Sequence, residues 1–234
     1  MFNVQTRGAG MRRVYVFALL ALQIATYFLV LCKSTDLTYE LYYALIVSCF
    51  ITSLVLVNRS NQSIFQFCAL LFTCIADYCL ILEQGTKIAG VRFFTIVQLF
   101  YCLRTLAMAK GEKERLLNLG IRVVGMAFLP FFVDLVFGGK VETLFLLSAT
   151  YYVNLLVNIA FAFVHFKENK LLPIGLVLFA LCDLTLGLTE LCGVFGWGKE
   201  TVIYQLLHPG FALEAAFYMP SQVILSVSAT QKCE

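Results

Sequence analysis

Two aspartates stand inside apolar runs of this chain. Asp77 lies in LLFTCIADYCLIL and Asp183 in LVLFALCDLTLGL. An ionisable side chain within a membrane span is expensive and marks function by default. In a buried pair of carboxyls the titrations split, so that one holds its proton while the other is ionised. Such a pair can do general acid–base work, as in other two-carboxylate sites. Each Asp follows a small residue, Ala76 or Cys182, and small neighbours let helices approach closely. Taken singly, either Asp could serve only to bond neighbouring helices. Two in so charge-poor a chain point to chemistry.

Other polar residues recur at helical spacing: Gln98, Tyr101 and Thr105; Tyr151, Asn154 and Asn158; Glu214, Tyr218, Ser221 and Gln222. Each set lines one helical face. Interhelical hydrogen bonding, worth about 0.6–2 kcal/mol per contact, accounts for any one stripe. Several stripes with two carboxylates predict a wet cavity inside a bundle. Glu83 and Glu190 mark the far ends of the two Asp segments, and Glu190 lies seven residues after Asp183 on the same face. Interface solvation is the simpler account of both.

Several reaction classes lack their residues. The histidines are His165 and His208, with no HExxH, HxxxH or GxSxG pattern. No P-loop or GxGxxG opens a helix, so nucleotide chemistry has no support. No CxxC pair occurs among the nine cysteines. Most of these, including Cys49, Cys68, Cys74, Cys79, Cys102 and Cys182, lie in apolar runs and are expected to be inert packing thiols. The reading requires no metal and no cofactor. Acid–base work by carboxylates remains.

The elements that must position these groups follow from composition. The chain has 234 residues, 61% hydrophobic and 13% charged, with mean hydropathy +0.87. A soluble domain carries about 25% charged residues. Such a composition excludes a soluble α/β enzyme and a disordered chain, and a net charge of +3 is too small for nucleic-acid binding. The expected fold is all-α: a single transmembrane domain over 1–234, a polytopic bundle of about eight membrane helices. Apolar runs place the spans at Val14–Cys32, Leu41–Val57, Ile64–Leu82, Val91–Met108, Leu116–Phe137, Glu142–Phe163, Leu171–Leu188 and Phe211–Val227. The first run is too long for a signal-peptide core and is expected to be retained. Between the last two spans, Trp197 among glycines suggests a short interfacial helix.

Eight spans put both termini on one side. Of the 17 Lys and Arg, 12 then fall on that side, with Arg104 and Arg122 counted at span edges. The bias predicts cytoplasmic N- and C-termini. Under that topology the two Asp residues share one depth, in the outer half.

The segment Ala76, Asp77, Gly90, Phe94, Gln98, Tyr101 resembles the first signature of the YhhN-like lysoplasmalogenase family. Gly175, Leu178, Phe179, Cys182 and Asp183 resemble its second signature. Tyr218, Pro220, Ser221 and Gln222 with the following Val-Ile-Leu-Ser resemble its last span. Three motifs in order, in a chain of this length, are fairly specific. Gln98 stands where the family usually has His, Ala76 where it has Gly, and Cys182 where it has Ser. Gln keeps a hydrogen-bonding side chain but cannot shuttle a proton as imidazole does.

The resemblance implies hydrolysis of the vinyl ether bond of a lysoplasmalogen. The products are a fatty aldehyde and glycerophosphoethanolamine or glycerophosphocholine. Asp77 and Asp183 become the catalytic pair. Gln98, Tyr101, Tyr218 and Gln222 would orient water or the substrate's polar part, with Asn154 and Glu190 as further substrate-binding candidates. The partner is a lysophospholipid or another membrane lipid. A bacterial cytoplasmic membrane and an endoplasmic reticulum membrane both suit the sequence. Two alternatives remain at this level. One is a small proton-coupled transporter, since the Asp contexts lie four spans apart like a parallel repeat. The other is a non-catalytic lipid-binding relative.

Overall fold

The computed structural model describes residues 3–31, 38–83, 87–137, 143–209 and 211–228. Among them there are nine helices and no strand. They are α1 (Asn3–Leu31), α2 (Thr38–Leu56), α3 (Asn61–Asp77), α4 (Lys87–Met108), α5 (Glu112–Phe137), α6 (Thr143–Val164), α7 (Leu171–Phe195), α8 (Val202–Leu207) and α9 (Leu213–Ser228). Helices are required because backbone groups left unpaired in hydrocarbon cost several kcal/mol each. Seven of the nine are long and apolar enough to cross a membrane. α9, the eighth in the expected order, runs for 16 residues, about 24 Å against a hydrocarbon core of about 30 Å. It continues as a helix through Pro220.

Two boundaries differ most from the sequence reading. α1 begins at Asn3 rather than Val14, and α7 reaches Phe195 rather than ending at Leu188. α7 stops at Gly196, whose φ of 65° is left-handed, with Trp197 N–H donating to the Cys192 carbonyl at 2.9 Å. Such a glycine cap satisfies carbonyls that the last turn leaves open. The short helix expected near Trp197 is α8, capped by the Thr201 hydroxyl. The cations Arg7, Arg12, Arg13, Lys33, Lys140 and Lys232, used for orientation, lie outside the described side chains. So do Cys32 and Glu142 at span ends.

Helix order in space is not helix order in sequence. α2 packs on α3, α3 on α4, α4 on α6, α6 on α7, α7 on α9, and α9 back on α2. These six helices close a ring. α1 lies outside it against α2 and α9, and α5 lies outside against α6. Gln23 of α1 donates to Thr52 of α2 at 3.0 Å, a buried tie between the outer helix and the ring. Exposed Phe17 on α1 and Phe128, Phe131 and Leu135 on α5 face outward. In a membrane this apolar belt meets lipid. α3 and α7, which carry the two Asp residues, occupy opposite positions in the ring order.

Two glycines set the tightest approaches. A Cβ on Gly175 of α7 would come within 2.7 Å of Leu225 Cγ on α9. One on Gly90 of α4 would come within 2.4 Å of Leu80 Cγ. Small residues at such crossings let dispersion contacts hold helices together where no hydrophobic drive exists. Leu80 belongs to a π-helical turn, Tyr78–Leu82, that follows directly on Asp77. A π turn re-aims the side chains around it and is common at functional sites.

The sequence reading placed Arg104 and Arg122 at span edges, and the structure corrects this. They are 0% and 3% exposed, inside the bundle. Arg122 donates Nε–H to Asn118 Oδ1 (2.7 Å), Nη1–H to Asn154 Oδ1 (3.0 Å) and O (3.2 Å), and Nη2–H to Asn158 Oδ1 (2.7 Å). These amide acceptors solvate the guanidinium and clasp α5 onto α6. Arg104 donates to Gln66 Oε1, to Ser228 Oγ (2.8 Å) and to the Ser228 carbonyl (3.1 Å), joining α3, α4 and α9. Charges inside spans face the bundle interior for this reason. At the end carrying the α4–α5 and α6–α7 turns, His165 sits between Glu114 (2.5 Å) and Glu168 (3.4 Å). Lys110 pairs with Glu168 at 2.5 Å.

Candidate active site

Asp77 ends α3 and Asp183 lies at the middle of α7. The carboxylates project into the same interior, close enough for the charge on one to act on the other. Tyr218 of α9 donates its hydroxyl to Asp77 Oδ2 at 2.6 Å. That length suits a phenol donating to a carboxylate. Tyr151 of α6 hydrogen-bonds to Asp183. The Asp183 Oδ2 atom is enclosed and has no hydrogen-bond partner. Each acid therefore has one tyrosine to orient it, and Asp183 keeps a free oxygen.

Aromatic rings build the walls. Tyr42 of α2 stacks on Tyr218 with centroids 5.7 Å apart and planes 7° from parallel. Phe179 of α7 meets the Tyr218 ring edge-on at 5.5 Å. Phe94 of α4 contacts Phe179 (5.7 Å) and Tyr151 (6.3 Å). Such pairs are worth about 0.5–1.5 kcal/mol beyond burial and fix ring orientation. All six ring helices thus supply the site. Its lower boundary is the Arg122 network, reached one turn further along α6 from Tyr151 to Asn154.

The sequence-predicted residues do not all gather in one place. Asp77, Asp183 and Tyr218 meet in the site. Gln98, Tyr101 and Asn154 lie in polar networks nearer the middle of the bundle. The Gln98 Oε1 accepts from Asn158 at 2.9 Å while its Nε2 is buried without a partner. The Tyr101 hydroxyl accepts from Gln66 at 3.3 Å, and Asn154 binds Arg122. Gln222 is fully buried on α9, donating to Ser221 Oγ at 3.2 Å, with Oε1 unpartnered. Glu190 lies apart, on the exposed end of α7, in an ion pair with Lys87 at 3.1 Å.

Four neighbours were not among the predicted site residues. Tyr42 and Cys182 lie within electrostatic range of both Asp residues, Glu214 lies within range of Tyr42 and Cys182, and Tyr151 bonds Asp183. Tyr151 and Glu214 had been noticed only as members of polar stripes. Tyr42 is one of two adjacent tyrosines in an apolar run, which was the available signal. Beside the π turn a groove of about 350 Å³ opens between α2 and α3, lined by Tyr43, Val47, Phe50, Cys74 and Tyr78 among others. Cys74 and Tyr43 are themselves within range of Asp77. Among the described residues, no cluster of His, Cys, Asp and Glu is arranged to hold a metal.

The family model for the YhhN family matches residues 41–228. The chain belongs to the YhhN family. That family contains lysoplasmalogenases. No curated protein and no solved structure matches the chain. The match runs from the start of α2 to the end of α9, so it covers the whole six-helix ring. Within the YhhN chain, the four residues of the first motif that lie on α4 each have a packing or bonding partner. Gly90 admits Leu80, Phe94 contacts Phe179 and Tyr151, Gln98 bonds Asn158, and Tyr101 bonds Gln66.

Proposed function

We propose that this protein is a membrane hydrolase that cleaves the vinyl ether bond of lysoplasmalogens. The observation that carries the reading is the meeting of Asp77 and Asp183 from opposite sides of the ring, each with its own tyrosine donor. Membership of a family that contains lysoplasmalogenases supports the same reaction.

In this reading Asp183 is the acid, because its enclosed Oδ2 has no protein partner to compete with the substrate. It transfers a proton to the β-carbon of the vinyl ether, and the adjacent carbon becomes an oxocarbenium centre. Asp77, held by Tyr218, stabilises that cation and then takes a proton from an incoming water. The resulting hemiacetal collapses: Asp77 gives its proton to the glycerol oxygen as that bond breaks, the hemiacetal hydroxyl returns a proton to Asp183, and a fatty aldehyde leaves. Removing water from around such charges strengthens every interaction with them. The alkenyl chain lies in the apolar groove between α2 and α3, which runs past Cys74 and Tyr43 toward Asp77. The glycerophospho-base stays on the wet side of the Asp pair. Both termini face the cytoplasm, so the site lies in the outer half of the bilayer.

The test uses purified protein in detergent micelles with a defined lysoplasmalogen, following aldehyde release. Wild type releases aldehyde, and Asp77→Asn and Asp183→Asn each lose at least a hundredfold in rate. Full activity in either variant would remove the paired mechanism. Absence of aldehyde release from folded wild type on any alkenyl lysolipid would remove the reaction itself.

A further inference from the structure

The groove between α2 and α3 ends, on both sides, at an aromatic pair that bridges the two helices. At one end Tyr43 and Tyr78 meet edge-on with centroids 6.2 Å apart. At the other, Phe50 of α2 packs on Phe67 of α3 at 5.2 Å. Val47 of α2 and Leu71, Cys74 and Ile75 of α3 line the space between, about 350 Å³ in volume. Pockets for small ligands run from about 300 to 1,000 Å³. Cys74 Sγ–H donates to the Ile46 carbonyl at 3.7 Å and ties one wall to the other. The tyrosine pair marks the end that meets the acids, because Tyr78 follows Asp77 directly at the π turn. The phenylalanine pair lies toward the α2–α3 turn. On the two helices the lining runs from Tyr43 to Phe50 and from Leu71 to Tyr78, about 10 Å at about 1.5 Å per residue. An extended saturated chain advances about 1.25 Å per carbon, given C–C bonds of about 1.5 Å at tetrahedral angles, so about eight carbons fit. None of the lining side chains is charged. Both walls are candidate membrane spans, so the open side of the groove meets hydrocarbon.

We propose that this groove gauges the lipid tail: it seats about eight carbons beyond the reacting pair, and Phe50 against Phe67 sets the end of the gauge. The proposal rests on the hydrolase reading for the chemistry at Asp77, but the seating of a saturated chain does not. Moving a tail from lipid into the groove gains no hydrophobic energy, because lipid tails are as apolar as Leu. What the groove supplies is position. Each seated carbon touches fixed walls and holds the vinyl ether against the Asp pair, where a shift of about 1 Å can cost about a hundredfold in rate. A tail that stops short of Phe50 leaves the reacting carbons free to move. A tail that passes Phe50 returns to lipid and gains nothing more. The turnover number therefore rises with chain length and levels off at about ten carbons, two at the acids and about eight in the groove. Val47 lies one turn from Tyr43, so Val47→Phe blocks the groove near its acid end. Phe50→Ala removes one half of the far pair and lengthens the gauge.

The first measurement needs no turnover. The probe is a hexadecyl ether lysophosphatidylethanolamine, which has no vinyl bond to cleave, with a diazirine at about carbon 7 of the tail, a level the groove holds. It is photolysed with the full-length protein in micelles, with and without excess plain hexadecyl lipid, and the labelled residues are mapped by mass spectrometry. Competitor-sensitive label is expected on Val47, Leu71 or Ile75 of wild type, and at least fivefold less of it in Val47→Phe. With the diazirine at about carbon 14, beyond Phe50, that label is expected to disappear. Groove residues without competitor-sensitive label, label undiminished in folded Val47→Phe, or equal label from both diazirine positions overturns the proposal. The second measurement follows aldehyde release from alkenyl lysolipids of graded length. The ratio of variant to wild type is taken at each length, so that micelle partition cancels. Val47→Phe is expected to lose at least tenfold in kcat on a hexadecenyl chain and less than twofold on a butenyl chain. Phe50→Ala is expected to level off at a longer chain than wild type. Ratios that are flat across chain length in both variants remove the gauge and leave the hydrolase. Length-dependent groove labelling of folded wild type that never cleaves an alkenyl lysolipid keeps the gauge and removes the hydrolase.

Discussion

The hydrogen bond from Tyr218 to Asp77 gives the most exposed test of the site. Tyr218→Phe deletes one oxygen and leaves the ring. The ring is what stacks on Tyr42 at 5.7 Å and meets Phe179 at 5.5 Å. The fold should therefore lose little, and the melting temperature in detergent should stay close to wild type. What is lost is a 2.6 Å bond to a carboxylate inside a water-poor bundle. Hydrogen bonds to charged groups are worth about 1.5–3 kcal/mol. If that bond steadies ionised Asp77 as the cation develops, kcat/KM falls by roughly ten- to 150-fold, at 1.4 kcal/mol per decade. The loss should appear in kcat rather than KM, because the bond matters when charge forms, not when the lipid enters. The assay is aldehyde release from a lysoplasmalogen, with Asp77→Asn measured beside it. A Tyr218→Phe protein that turns over at the wild-type rate, with Asp77→Asn dead, refutes the role given to this bond. A loss confined to KM would assign Tyr218 to binding instead.

Three further outcomes follow from the packing. Gly175→Ala puts a methyl within 2.7 Å of Leu225 Cγ, so it should lower stability by about 1–3 kcal/mol in a detergent melt; an unchanged melting temperature would mean that α7 and α9 separate freely. Arg122→Met strips the clasp from Asn118, Asn154 and Asn158. It should cost about 2–5 kcal/mol, read as earlier melting or as faster proteolysis of the α5 segment, and an equally stable variant would sink the clasp. The hydrogen bond from Lys110 holds the Glu168 carboxyl below its usual range. A depressed carboxyl contributes stability above its unfolded value and loses it as pH falls through the folded one. Wild type should therefore out-melt Lys110→Gln by a small constant margin, about 0.2–1 kcal/mol, from neutral pH down to about pH 5. That margin should shrink as pH falls below the ordinary glutamate value of about 4.3, and a margin that grows on acidification would contradict the pairing.

Membrane class, helical content and span order were legible because they are one-dimensional. Hydrocarbon demands long apolar runs with their backbone bonds closed internally, and such runs can be counted along the chain. Scarce charge also made Asp77 and Asp183 stand out, since any acid in an apolar run must have a reason to be there. The family motifs were legible in the same way, as fixed offsets along single helices.

The sequence misplaced what depends on lateral order. Arg104 and Arg122 looked like edge charges because hydropathy falls around any cation. Only the amides of Asn118 on the same helix and of Asn154 and Asn158 on the facing one show how the Arg122 charge is held inside. Gln98 and Asn154 share helical faces with site residues, yet they turn to Arg122's network one turn away from the acids. Glu190 shares a face with Asp183, but α7 runs on to Phe195 and carries that face out to Lys87.

What the sequence determined by itself is a helical membrane chain with two acids it had to explain, because the solvent cost of each residue is local. What only the tertiary structure decided is that α2, α3, α4, α6, α7 and α9 close into one ring while α1 and α5 stay outside. That closure brings Asp77, Asp183, Tyr42, Tyr151, Cys182 and Tyr218 around a single interior. Nothing in helical periodicity contains it, since a period states which residues share a face and never which other helix that face will meet.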